Sequence, residues 1–377
     1  MRVLFIVSSL VLWSAADGFT SLQPRGVLLS LPTRTLQELR VPRPGAAGSS
    51  RACVPAESSK ALPASLSESD DAGVWRLGIL ALTILWSTNF AFIKAIFVSI
   101  PDLDPSLYAA VRFTIAAIVL LPTYYNALGN KVLVRSSAVC AVWVMLGYLG
   151  QSLGLKLGST ADKSAFISSL VVVWVAIAPV LYYAALKVMG GQPGNPSVQP
   201  VWSTVLLAVC GIALLELQGS SPPTWGDAWS LLQPVGFGTS YFFIERQMKL
   251  HGSSSPEAPR QATGLRVLSI AAISLLWAAS TGSLRVENLA QIAQSPEAVA
   301  SLMYLGCVTT AGGLWLQTLA FRRVSASDAS MILSSEPVWA AIFSAVLLGE
   351  QVTPIEAVGG GMIITACVAN EYLTKRA

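Results

Sequence analysis

The sequence predicts an all-helical integral membrane protein with ten transmembrane helices arranged as two inverted five-helix repeats. Of its 377 residues, 53% are hydrophobic and only 12% are charged, and the mean hydropathy is +0.61. Soluble domains carry about 25% charged residues. Apolar segments fill most of the chain after Gly73, and the two halves of the chain share short sequence matches.

The apolar segments are each about long enough to cross a bilayer, which takes roughly 20 helical residues at ~1.5 Å rise per residue. The longest loops between them lie around 188–200 and 248–262. The predicted transmembrane segments, numbered one to ten in chain order, are 76–98, 105–125, 136–156, 164–187, 201–218, 226–247, 263–281, 298–320, 327–348 and 354–373.

The chain begins with two segments that precede the first predicted span. Residues 1–18 have a basic start, an apolar core and a small-x-small cleavage site, which together predict a signal peptide. Residues 19–73 are rich in Ser, Pro and Arg, and this composition is typical of a disordered transit peptide. Together they resemble the two-part presequence of algae with complex plastids, so we expect a plastid envelope. The alternative is a signal peptide and lumenal tail in the secretory-pathway or plasma membrane.

Three sequence matches in the same order relate a first repeat, residues 74–218, to a second repeat, residues 219–377. The matched positions are Trp86–Lys94 with Phe237–Glu245 (offset 151, 237 − 86), Pro105 and Arg112 with Pro259 and Arg266 (offset 154), and Ser159, Asp162 and Ser164 with Ser325, Asp328 and Ser330 (offset 166). Because five is an odd number, the second repeat must enter the membrane from the opposite side, as in many secondary transporters.

A carboxylate lies inside the ninth segment, directly before a proline. Glu336 would cost a few kcal/mol if it faced lipid, so such a residue normally faces the bundle interior or a wet cavity. Pro337 frees a backbone carbonyl one turn earlier, which predicts a helix break. One interpretation is a substrate or proton site beside a broken helix. The other is a packing kink with a snorkelling glutamate.

Uncharged polar residues lie within several other segments. Besides Glu336, the candidate substrate residues are Asn89, Thr88, Ser240, Gln317 and Gln151. Their hydrogen-bonding groups suit a polar substrate, but the same groups also hold neighbouring helices together in membranes. Both interpretations stay open.

Charged residues near the ends of the segments give two further candidates. Lys94 and Glu245 occupy matched positions with opposite charge, which predicts a charge pair across the repeat interface. Arg112 and Arg266 lie several residues into segments two and seven, where they can attract an anionic substrate. The alternative for all four is that they snorkel to the membrane surface.

A series of small residues runs along the third segment. Gly147, Gly150, Gly154 and Gly158 recur at spacings of three to four residues. Small residues let helix backbones approach closely, so the series predicts a packing face.

Several classes of protein are excluded by what the sequence lacks. His251 is the only histidine, and the five cysteines form no Cys-x-x-Cys motif, so we predict no metal site, no cofactor and no enzymatic activity. The sequence contains no Walker A motif that would couple the chain to ATP. The basic residues form no patch with interleaved aromatic residues, which argues against nucleic acid as a partner.

The chain resembles the EamA branch of the drug/metabolite transporter (DMT) superfamily. The resemblance covers about residues 75–372 and rests on the ten segments in two repeats and on three motifs: Trp86-Ser87-Thr88-Asn89-Phe90, Glu336-Pro337-Val338-Trp339 and Gly349-Glu350. It implies transport of a small metabolite through the bilayer by alternating access, without an enzymatic step. The first repeat departs from the pattern, since Leu170 and Val171 stand where the second repeat has Glu336 and Pro337.

We therefore expect a midplane cavity lined by segments one, three, four, six, eight and nine, with Glu336 as the proton- or substrate-linked group. The alternative function is a phosphate-ester or nucleotide-sugar exchanger of the same superfamily. Such exchangers usually present Lys and Arg in their late segments, and segments nine and ten contain neither. A membrane scaffold without transport, and a homodimer as the assembled form, also stay open.

Overall fold

The structure is a computed structural model that describes residues 64–188, 202–216, 223–251, 256–348 and 354–374. The predicted signal peptide, most of the predicted transit-like segment, the linker after Val188 and the Gly349-Glu350 motif lie outside the described residues. The first helix begins at Ala64, which is inside the segment predicted to be transit-like.

The described residues are almost entirely helical. A 3₁₀ turn (Tyr125–Ala127) follows α3, and a π-helix (Tyr304–Gly312) joins α12 to α13. The α-helices are α1 (Ala64–Ser99), α2 (Pro105–Val119), α3 (Leu121–Tyr124), α4 (Lys131–Lys156), α5 (Ala161–Ser169), α6 (Val171–Val188), α7 (Trp202–Glu216), α8 (Trp225–Ser230), α9 (Leu232–His251), α10 (Ala258–Thr281), α11 (Val286–Gln294), α12 (Pro296–Met303), α13 (Gly313–Ala320), α14 (Ala326–Leu333), α15 (Glu336–Leu348) and α16 (Pro354–Thr374).

Each of the ten predicted segments coincides with one helix or with two or three consecutive helices, and the prediction of an all-helical membrane fold is confirmed. Within the described ranges, five helical stretches are long and apolar enough to cross a membrane. They are Gly73–Ser99, Lys131–Lys156, Lys163–Leu181, Ala258–Thr281 and Pro296–Ala320. A sixth results if α2 and the stretch after it, which are bent by 63°, form one span. That all ten segments cross the bilayer as inverted repeats stays a prediction.

Two of the predicted segments are interrupted by a short turn at corresponding places, and the fourth still forms one helical stretch, Lys163–Leu181. The fourth divides into α5 and α6 at Leu170, and the ninth divides into α14 and α15 at Ser334 and Ser335. Pro337 is the second residue of α15, a position where its missing N–H costs little. The fourth segment is interrupted without a proline, so a proline is not required for a turn at this position.

Short polar caps start both broken segments. The Thr160 hydroxyl accepts from the backbone N–H of Lys163 at the start of α5, and the Ser325 hydroxyl accepts from the N–H of Asp328 at the start of α14. Each cap satisfies one of the four N–H groups that a helix start leaves unpaired. The two broken segments therefore begin in the same way.

The glycines of the third segment allow α4 to pack closely against α8 and α9, as predicted. A methyl group on Gly236 of α9 would lie only 2.3 Å from the backbone nitrogen of Gly147, and one on Gly147 would lie 2.5 Å from the ring of Phe237. Gly154 packs against Ser230 of α8 in the same manner. Gly158 has a different role, because its φ of 111° places it in the left-handed region at the turn after α4.

Candidate functional site

A cavity lies among helices from six of the predicted segments, namely one, three, four, six, eight and nine. The cavity has a volume of about 40 Å³, which is room for roughly three water molecules. The lining residues are Trp86, Asn89 and Phe90 of α1, Val144, Tyr148 and Gln151 of α4, Ser168 of α5, Val171 of α6, Phe237, Ser240 and Tyr241 of α9, Leu314 and Gln317 of α13, Leu333 of α14 and Glu336 of α15.

Three buried amide side chains of the cavity wall carry oxygens without a hydrogen-bond partner. These residues are Asn89, Gln151 and Gln317, which are only 4%, 4% and 2% exposed. A buried acceptor without a partner costs about 1–3 kcal/mol. Gln233 and Gln247 also have unpartnered oxygens, but their amide nitrogens are held by serine hydroxyls. The cavity is the place where three such oxygens occur together, and a ligand with donors would satisfy them.

Glu336 supplies the charge of the cavity wall. It is the first residue of α15, and its partly exposed side chain borders the cavity. Ser168, next to the turn that divides the fourth segment, borders the same cavity. Among the ion pairs of the described residues, none includes Glu336. Its carboxylate therefore remains available to a proton or to a cationic group.

Aromatic rings make up much of the remaining wall. The indole N–H of Trp86 donates to the backbone oxygen of Thr309 at 3.0 Å, which fixes the ring beside the cavity. The rings of Tyr148 and Phe237 meet edge to face, with centroids 5.1 Å apart. None of these rings was among the predicted site residues. Their spacing was a usable signal, since Tyr148 precedes Gln151, and Phe237 precedes Ser240, by one helical turn.

Thr88 is the one candidate substrate residue that does not border the cavity. Its hydroxyl donates to the backbone oxygen of Leu85 at 2.7 Å and contacts the Tyr304 hydroxyl at 2.9 Å. Thr88 therefore links α1 to the π-helix, while its neighbour Asn89 faces the cavity. Adjacent residues on a helix point about 100° apart, which explains the difference.

Arg112 is fully buried behind the cavity wall. Its guanidinium donates to Thr310 at 2.9 Å, to Tyr108 at 2.8 Å and to Thr309 at 3.3 Å. The same group lies 5.0 Å from the centre of the Tyr148 ring. These contacts join α2 to the π-helix, so the donors of Arg112 are directed at protein groups and its side chain does not snorkel.

Arg266 is buried in a similar way on α10. It donates to the backbone oxygen of Leu314 at 3.2 Å and to the Thr318 hydroxyl at 2.7 Å, both on α13. Its Nε has no partner. Neither Arg266 nor Arg112 is among the residues that border the cavity. Both arginines hold the eighth segment, from matched positions in the two repeats.

Two charged clusters lie at opposite ends of α1. In the first, Lys94 donates to the backbone oxygens of Leu155 and Ser159 at 3.0 and 3.1 Å, and Lys163 pairs with Asp227 at 3.8 Å. In the second, the N–H of Ala326 donates to Glu245 at 2.8 Å, and Arg76 pairs with Asp328 at 3.2 Å. Sequence analysis did not identify these ion pairs, although Arg76 and Asp227 are 151 residues apart (227 − 76), the offset of the first match.

The predicted pairing of Lys94 with Glu245 is wrong. Lys94 follows Arg76 by 18 residues of α1, which is about 27 Å along the helix. Glu245 binds Ala326, two residues before the Asp328 that pairs with Arg76. Glu245 therefore lies at the end of α1 that is remote from Lys94. Inverted repeats, as predicted from the sequence, would place matched positions on opposite sides of the membrane, whereas a charge pair needs both residues on the same side.

The fold and the cavity define a class: an all-helical membrane protein with a small polar, aromatic-walled cavity among its helices. Residues 224–370 match the EamA-like transporter family. This match lies within the second half of the chain and includes Glu245, Gln317 and Glu336.

Relatives over most of the chain are described as transporters. One from Archaeoglobus fulgidus, an uncharacterized transporter, is 27% identical over 78% of this chain and 84% of its own length. Another, the uncharacterized transporter YoaV of Bacillus subtilis, is 23% identical over 80% of this chain and 97% of its own length. A protein of known crystal structure shares the fold, with a TM-score of 0.56 and 15% identity, covering 82% of this chain and 99% of that one. These similarities support an EamA-like membrane transporter.

Replacing Arg112 by methionine tests whether this arginine has a structural role. We expect Arg112→Met to lower the free energy of unfolding by about 2 kcal/mol, because three hydrogen bonds to a buried charged group are lost. Thermal unfolding of the purified protein in detergent measures the loss. Arg285→Met, which removes an exposed arginine, is the matched control and should leave the midpoint unchanged. An unchanged midpoint for Arg112→Met, together with weaker substrate binding, would instead indicate an anion-binding role.

Proposed function

We propose that this protein is a secondary transporter of EamA type, which moves a small metabolite across a membrane by alternating access. The observation that carries the proposal is the cavity. Side chains from six predicted segments border it, and its amide oxygens and its carboxylate are available to a ligand. The proposal extends the family match from residues 224–370 to both repeats.

The proposed architecture has ten transmembrane helices in two inverted repeats, residues 74–218 and 219–377. Three features support it. Helices coincide with all ten segments, the fourth and ninth segments are broken at corresponding places, and Arg112 and Arg266 hold the eighth segment from matched positions. Broken helices at a central site recur in transporters built from inverted repeats.

The two ion pairs correspond to each other with their charges exchanged. Arg76 at the start of the first segment pairs with Asp328 at the start of the ninth, whereas Asp227 at the start of the sixth pairs with Lys163 at the start of the fourth. All four side chains are less than one-fifth exposed. In the proposed mechanism, each ion pair closes one side of the cavity. When one side opens, the ion pair on that side separates.

Replacing the cation of one ion pair should open the cavity to one side of the membrane, and replacing the cation of the other pair should open it to the opposite side. Arg76→Gln should raise exposure of the cavity to the side of Arg76, and Lys163→Gln should raise exposure to the other side. We expect about a fivefold change, because a partly buried ion pair contributes roughly 1 kcal/mol. The reporter is Gln317→Cys in a chain whose native cysteines are replaced by serine, labelled with a membrane-impermeant maleimide in vesicles of either orientation. Increased labelling from the same side in both variants would contradict the assignment of the pairs to opposite gates.

Glu336 is the group that we assign to proton or substrate coupling. It is the charged residue of the lining, and it lies at the start of α15, where the helix break gives it room to move. The alternative, an exchanger of phosphate esters, requires cationic donors at the cavity. The residues that border the cavity in the described structure include no lysine or arginine, which favours the metabolite transporter.

Uptake into reconstituted vesicles tests the role of Glu336. With labelled metabolites from a cell extract as substrates, uptake by the natural protein should vary between about pH 5 and about pH 8. Glu336→Gln should transport at a rate that is lower by about tenfold and independent of pH, because its side chain can no longer exchange a proton. Glu287→Gln, which alters an exposed carboxylate, should behave like the natural protein. Normal, pH-dependent uptake by Glu336→Gln would contradict the coupling role.

We assign the protein to a plastid envelope, with a secretory-pathway or plasma membrane as the alternative. The assignment is supported by the signal-like residues 1–18 and the basic, serine- and proline-rich residues 19–73. Fluorescent fusions of residues 1–75 and of the whole chain, expressed in an algal host, should both reach the plastid. Fluorescence at the Golgi or the cell surface would contradict a plastid presequence.

A further inference from the structure

The hydrogen-bonding character of the cavity identifies the kind of ligand it can hold. On the acceptor side are the unpartnered oxygens of Asn89, Gln151 and Gln317 and the carboxylate of Glu336. All four belong to different helices, α1, α4, α13 and α15, so they reach the cavity from several directions. A ligand that satisfies them must donate hydrogen bonds.

Two donors of the cavity wall are already used within the protein. The Trp86 indole N–H donates to Thr309, and the Ser240 hydroxyl donates to the backbone oxygen of Phe237 at 2.7 Å. These two groups cannot donate to an anionic ligand without losing a bond. The donors that remain are amide nitrogens and hydroxyls, which carry no charge, whereas Glu336 is a carboxylic acid.

The aromatic residues of the wall favour a positive charge on the ligand. Trp86, Phe90, Phe237 and Tyr241 all border the cavity. The face of an aromatic ring attracts a cation with about 0.5–2 kcal/mol, and tryptophan is the strongest. Because the N–H of Trp86 is engaged outside the cavity, what the indole offers a ligand is its ring.

Two buried arginines oppose the binding of a cation in the cavity. Arg112 and Arg266 lie one layer behind the wall, at Tyr148 and at Leu314 respectively. Their positive charge opposes a bound cation at a distance, but their hydrogen bonds to protein groups prevent them from contacting a ligand directly. The direct contacts are made by Glu336, the amide oxygens and the rings, and these favour a cation at closer range.

We propose that the cavity binds a small organic cation that donates hydrogen bonds and carries an aromatic or apolar body. The charged end is received by Glu336 and the amide oxygens, and the body lies against the aromatic rings. This inference rests on the proposed transporter function and specifies the substrate class of the same site.

Three probes of similar shape test the proposal on the purified full-length protein in lipid nanodiscs. Benzylguanidinium and benzylurea have nearly the same shape and both donate hydrogen bonds, but only the first is charged, and 3-phenylpropionate is the anionic counterpart. Calorimetric titration should show that benzylguanidinium binds at least about tenfold more tightly than benzylurea, and that 3-phenylpropionate binds most weakly. Equal binding of the first two, stronger binding of the anion, or no saturable binding of benzylguanidinium would each overturn the proposal.

A matched pair of variants assigns the preference to Glu336. Glu336→Gln should bind benzylguanidinium and benzylurea equally, because it keeps the shape of the side chain and removes its charge, while Glu287→Gln should keep the full preference. A retained preference in Glu336→Gln would overturn the role of this residue. The comparison of the three probes on the natural protein needs no variant, so it decides the ligand class even if Glu336→Gln fails to fold.

Flux measurements on the same probes separate this inference from the transporter proposal. Benzylguanidinium carries a fixed charge and does not cross lipid unaided, so its counterflow in reconstituted vesicles reports transport. If the anion binds and is transported, the cation class is wrong and the transporter stands. If benzylguanidinium binds with the expected preference but neither it nor any extract metabolite crosses the membrane, the cation site stands and the transporter proposal is wrong.

Discussion

The cost of burying polar groups in an apolar interior is the constraint on which the rest of this structure depends. Buried hydroxyl groups offset this cost within their own helix, since Thr83 and Ser274 each donate to the carbonyl one turn earlier. The two buried arginines meet it with partners on a neighbouring helix. At the cavity, the chain leaves three buried amide oxygens without that compensation. These unpartnered oxygens lie together at the cavity, where a ligand can supply the missing hydrogen bonds.

Much of the helical arrangement could be predicted from the sequence, because hydropathy over 20 residues reports directly on burial in lipid. The candidates Asn89, Gln151, Gln317 and Glu336 were found because polar groups are rare in such segments, and the structure brings them together at one cavity. The sequence could not show that Asn89 borders the cavity and Thr88 does not, because it does not reveal which face of α1 is turned inward.

The contacts between helices could not be predicted, because they depend on which helix ends meet in space. Lys94 and Glu245 were expected to pair from their matched positions, yet each binds backbone groups at a different end of α1. The buried state of Arg112 and Arg266 was also hidden, since an arginine near the end of a span normally reaches water. In these cases the partners lie on other segments, far away in sequence.

The π-helix at Tyr304–Gly312 directly precedes α13, so its geometry sets the rotation of α13 about the helix axis. Its wider turns advance by a smaller angle per residue than α-helical turns do, so any residue that changed from one geometry to the other would turn α13 about its own axis. Gln317 would then swing around the helix, away from the cavity or toward it. Arg112 hydrogen-bonds to the π-helix and Arg266 hydrogen-bonds to α13, so both arginines would oppose such a rotation.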